Sequence, residues 1–66
     1  KRDPVVLDFS AVTRIDFVSA GTLVNLLTTI KRQGKRIVIR RPNRLVAELL
    51  GVVGLRPVAD IEFAKN

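Results

Sequence analysis

Along this chain the apolar positions change period several times, and each change marks an element. Val5, Leu7 and Phe9 alternate with Val6 and Asp8, the period of two that a half-buried strand requires. Ser10–Asp16 reads as a connection anchored by two apolar residues, Val12 and Ile15. From Phe17 to Gln33 the period lengthens. Ala20, Leu23, Val24, Leu27 and Ile30 then recur as the single stripe of a helix lying on a sheet. Lys31 and Arg32 suit the negative end of that helix, and Gly34 supplies a left-handed stop.

The same theme then repeats. Arg36–Arg40 is a second strand, with Ile37 and Ile39 on one face and Arg36, Val38 and Arg40 on the other. Pro42 ends it and Asn43 caps a second helix, whose expected buried stripe is Leu45, Val46, Leu49, Leu50 and Val53. Gly54 closes that helix, with Pro57 just beyond. Val58–Phe63 reads as a third strand, with Ala59, Ile61 and Phe63 inward and Val58, Asp60 and Glu62 outward. Lys1–Pro4 is a charged lead-in.

The order β-α-β-α-β calls for parallel strands joined by right-handed helical crossovers. With sequential strands adjacent, both helices fall on one face of the sheet. The predicted fold is therefore an α/β two-layer sandwich, with a mainly parallel sheet and its helices on one side. The outer face collects Asp8, Arg36, Arg40, Asp60 and Glu62, whose opposite charges on different strands can pair across the sheet. Three strands are few for an independent fold, so at least one sheet edge should be covered by something else. Missing residues or another molecule would serve, and a homodimer is one such arrangement.

Composition narrows the chemistry. The chain has 66 residues with no Cys and no His. Disulfides, thiolate nucleophiles and imidazole acid–base schemes are thus excluded, and no metal or cofactor site is expected. A chain of this size hides only about 60% of its unfolded surface, so its core is thin. No apolar run approaches a membrane span and no signal-peptide pattern opens the chain, which suggests a cytoplasmic protein. Twelve basic against six acidic residues give a net charge of +6, a balance that favours an acidic surface, a polyanion or anionic lipid as partner.

Catalysis has little to work with. Asp8 and Asp16 flank the carboxyl end of the first strand, where α/β sheets place ligands. No nucleophile–base dyad and no glycine-rich phosphate loop accompanies them, and Asp16 reads as an N-cap accepting backbone N–H groups near Val18 and Ser19. No enzyme is expected. The basic run formed by Lys31, Arg32, Lys35, Arg36, Arg40, Arg41 and Arg44 could meet phosphates. However, there is no Trp or Tyr to stack on bases and the second helix is too apolar for a recognition helix, so a solvated basic face is the better reading. The turn Asp16-Phe17-Val18-Ser19-Ala20-Gly21 remains. Phe17 and Val18 start a helix without joining its main stripe, and Gly21 costs about 1 kcal/mol relative to Ala there. Close packing of something against Gly21 would explain it.

In this order the segments VVLDFSAVTRID, KRQGKRIVI and LLGVVGLRPVADIEF resemble the STAS domain of bacterial anti-sigma-factor antagonists. Leu50-Gly51-Val52-Val53-Gly54-Leu55 matches the family's Leu-x-x-x-Gly-Leu motif. The resemblance covers nearly the whole chain as one STAS-like domain over residues 1–66. It implies that the chain corresponds to the C-terminal two-thirds of a domain lacking its N-terminal strands. It also implies a non-enzymatic interaction domain in bacterial signalling and transcription regulation, with an anti-sigma factor or kinase as partner.

The docking residues so implied are Asp16, Phe17, Val18, Ser19, Gly21, Thr22 and Asn25, with Thr29 further along the helix. In the antagonists a Ser or Thr two residues after the loop Asp is phosphorylated, which ends binding. Val18 stands at that position and cannot accept phosphate, and Ser19 falls where the family has Gly. Either Ser19 takes over, one residue displaced, or phosphorylation does not switch this protein, and the second reading is preferred. Relatives that lack the switch include an accessory subunit that binds the ATPase of a bacterial ABC lipid transporter. That role and a basic nucleic-acid-binding domain are the alternatives.

Overall fold

A computed structural model of the chain describes residues 4–63, so the lead-in at Lys1–Asp3 lies outside the described residues. The element order is β1 (Val5–Asp8), α1 (Phe17–Arg32), β2 (Ile37–Arg40), α2 (Arg44–Val52) and β3 (Asp60–Glu62). The strands lie in the order β1-β2-β3, and both pairings are parallel. The predicted α/β two-layer architecture is what the chain adopts.

Why the helices share a face follows from the strands. Ile37 and Ile39 of β2 are buried whereas Arg40 is exposed, so one side of the sheet needs a cover and the other does not. Ala20, Val24 and Leu27 of α1 and Val46 and Leu50 of α2 join those isoleucines in a single core. Leu23 and Ile30 pack at its margin, as the helical stripe requires. On the outer face Arg40 sits directly opposite Glu62, and its Nε donates to Oε1 at 2.8 Å. Arg36 reaches diagonally to Asp60 at 3.4 Å. These are the expected cross-strand pairs.

Helix ends follow local chemistry. α1 stops at Gln33 and Gly34 takes φ 85°, with its N–H on the Lys31 carbonyl at 2.9 Å. At the end of α2, Gly54 takes φ 99° and donates to the Gly51 carbonyl, while the Leu55 N–H returns to the Leu50 carbonyl at 3.0 Å. That pair of bonds is a Schellman cap, and Leu55 beyond it is fully buried. The Leu50–Leu55 motif therefore has a physical meaning. It stops the helix with a left-handed glycine and folds the next leucine back into the core.

The structure corrects the sequence reading at the second half of the chain. Leu45, assigned to the buried stripe of α2, is 74% exposed, because α2 turns Val46, Ala47 and Leu50 inward instead. Val58 is predicted on the outer face by the alternation of a strand starting there. It is buried in a turn in which the Val58 and Ala59 N–H groups both donate to the Leu55 carbonyl. β3 consequently begins only at Asp60. Phe63, expected inward, lies just past the end of β3 and is 58% exposed.

Candidate docking surface

The turn leading into α1 is built by two carboxylates, each engaged with nearby backbone. Asp8 Oδ1 accepts the Ser10 N–H at 2.9 Å, which turns the chain as it leaves β1. Asp16 is in extended backbone and its Oδ1 accepts the Ser19 N–H at 2.6 Å, the N-cap expected of it. Hydrogen bonds from Ser10 to Asp8 and from Ser19 to Asp16 hold both carboxyls below their ordinary 3.8. For Asp8 the nearby Arg41 and Arg40 add to the effect. Between them Val12 and Ile15 are half-buried and anchor the connection on the core.

A second tether comes from the connection that follows the neighbouring strand β2. Asn43 caps α2 by accepting the Val46 N–H at 2.8 Å, and its Nδ2 donates to the Thr13 carbonyl at 2.9 Å and the Val12 carbonyl at 3.3 Å. The cap is predicted by the sequence, and the tether is not. The available signal was the choice of Asn, the one good N-cap whose side chain also carries N–H donors.

With its start fixed this way, α1 turns a mixed surface outward. Phe17 is 62% and Val18 76% exposed, although both are apolar. Ser19, Thr22, Asn25 and Thr29 are exposed along the same helix, and Asp16 is exposed at its head. Leu26 is exposed as well, one turn beyond Thr22. It went unnoticed in the sequence, where its place off the buried stripe and two turns from Val18 was the sign. Gly21 has nothing within 4 Å of the position a Cβ would take, so no packing inside the domain demands a glycine there.

The surface offers apolar area, hydrogen-bonding side chains and a positive helix end already capped by Asp16. It offers no acid–base or nucleophilic constellation. Among the described residues no group of His, Cys, Asp and Glu could hold a metal ion, and no helix is long and apolar enough to cross a membrane.

Compared with known proteins, residues 1–59 match the family described as Mlab, STAS domain. No curated protein and no solved structure matches the chain. A match of that extent, on a chain with parallel strands, two helices on one face and a glycine-capped α2, makes this chain a member of the STAS family.

Proposed function

We propose that this STAS domain is a non-enzymatic module that docks a regulatory protein partner through the turn Asp16–Gly21 and the exposed side of α1. The observation that carries the reading is the exposure of Phe17 and Val18 side by side at the start of α1. Two adjacent apolar side chains exposed to water form a patch that a partner can bury, and a few buried anchors carry most of an interface's binding energy. Gly21 supports it, since a glycine that costs the helix stability and answers to no internal contact permits close approach from outside. Thr22 and Asn25 would supply polar contacts around those anchors, and the charge of +6 would steer an acidic partner.

On this reading the domain works in the bacterial cytoplasm, in signalling that ends in transcription control, with an anti-sigma factor or kinase as partner. Val18 favours a second reading, in which the domain is a constitutive subunit bound to a transporter ATPase. It stands where the antagonists carry their phosphorylated residue and has no hydroxyl. Ser19 is the remaining acceptor in the turn, but a phosphate there would join the Asp16 carboxylate that already caps the same helix end.

Affinity capture from a native lysate, followed by mass spectrometry, tests both readings. An anti-sigma factor or kinase supports partner switching, and a transporter ATPase supports the constitutive subunit. Recovery of nucleic acid alone, lost steeply with salt, would overturn both.

A further inference from the structure

We propose that the groove between α2 and β3 is a second docking site, taking an extended acidic peptide segment that adds a strand to the free edge of β3. The site is independent of the α1 surface. β3 pairs with β2 alone, so its other edge has no partner strand among the described residues. Beside it opens a cavity of about 340 Å³ lined by Arg44, Ala47, Glu48, Arg56, Ile61 and Phe63. Ala47, Ile61 and the exposed Phe63 ring give it apolar walls, and the two arginines give it positive charge. Unlike Arg36 and Arg40, which meet Asp60 and Glu62, neither Arg44 nor Arg56 forms an ion pair among the described residues.

The placement of the charges selects an extended chain over a single small anion. Arg44 opens α2, whereas the Arg56 side chain lies over Gly51 near the other end, with its Nε 3.4 Å from where a Cβ would stand. Residues 44 and 51 are about 10 Å apart along the helix at ~1.5 Å per residue. A strand advancing ~3.3 Å per residue covers that span in three or four residues. Glu48 lies one helical turn from Arg44 and repels an acid in the middle of the groove. The matching segment carries an acid at each end of its inward face and an apolar residue between them, over Ile61 and Phe63. Main-chain bonds to the edge of β3 would supply affinity, and the alternating side chains would supply selectivity.

The test is a titration of the isotopically labelled 66-residue chain, followed by amide NMR, with the capped peptide Asp-Thr-Val-Thr-Asp. Saturable shifts at Asp60–Phe63 are expected, with the amides of Phe17 and Val18 unmoved. Replacing both aspartates of the peptide by asparagine, or making Arg44→Gln with Arg56→Gln, should weaken binding by about tenfold or more. Single Arg44→Gln, which removes one exposed charge, should weaken it less and serves if the double variant loses its native spectrum. Absence of saturable shifts, or equal binding by the asparagine peptide or the variants, would overturn the proposal. So would self-association of the chain through β3 without peptide, which would assign the edge to a second copy.

Discussion

Asn43 binds both ends of a span of 30 residues, donating to the Thr13 carbonyl at 2.9 Å while it caps α2 at Val46. The two halves of its amide do different jobs, so two substitutions separate them. Asn43→Asp keeps a capping oxygen and loses the donors, whereas Asn43→Ala loses both. We expect Asn43→Ala to cost about 1–2 kcal/mol and Asn43→Asp less, as read by urea denaturation. Equal losses would mean that the cap contributes nothing, and an Asn43→Asp protein as stable as wild type would mean that the tether contributes nothing.

Gly21 and Gly54 should respond to alanine in opposite directions. Gly54 has φ 99°, where a Cβ is strained, so Gly54→Ala should destabilise the domain by about 1–2 kcal/mol. Gly21 sits inside α1 with open space around it, and Gly21→Ala should stabilise by about 0.5–1 kcal/mol. If α1 is the docking surface, the same Gly21→Ala change should weaken partner binding. A more stable domain that binds less well would separate the two roles in one variant.

The N-cap at Asp16 gives stability a defined acid dependence. Its carboxyl is held below 3.8 by the bond from Ser19, so the folded state binds that proton less readily than the unfolded chain does. The contribution is complete above 3.8, the unfolded value, and is lost as pH falls through the lower folded value. Asp16→Asn retains a capping oxygen without a titrating group. Its thermal midpoint should therefore fall less than that of the wild type between neutral pH and acid, and Asp16→Ala should be less stable than wild type at neutral pH. Parallel acid profiles for wild type and Asp16→Asn would contradict the assignment.

The outer-face ion pairs should matter little. Arg40 and Glu62 are both about half exposed even at 2.8 Å, so a double-mutant cycle with Arg40→Ala and Glu62→Ala should give a coupling of about 0.2–1 kcal/mol that shrinks with salt. A larger, salt-insensitive value would mean that the outer face is not solvated.

How far the sequence could be read depended on how local each signal was. β1, β2 and α1, the caps at Asp16 and Asn43 and the glycine stops all arise from neighbours in sequence or from simple periodicity, and the Arg–acid pairing follows from strand alternation once the parallel order is set. The end of the chain did not yield so well. A turn that directs two successive N–H groups to the Leu55 carbonyl buries Val58 and Ala59 together, and alternation cannot express two adjacent buried residues. In α2 the leucines drew the expected stripe toward Leu45, while the buried arc runs through the small Ala47. At the candidate site the exposure of Phe17 and Val18 was legible from their place off the α1 stripe. The Asn43 tether was not, because it joins segments that only the folded sheet brings together.

The most direct test of the docking surface is Val18→Asp, read by partner capture and far-UV circular dichroism on the same protein. Val18 is 76% exposed, so the substitution should leave the helical signal intact and abolish capture. Retention of the partner by a folded Val18→Asp protein would contradict the account, and loss of the helical signal would place Val18 in the core instead of the interface.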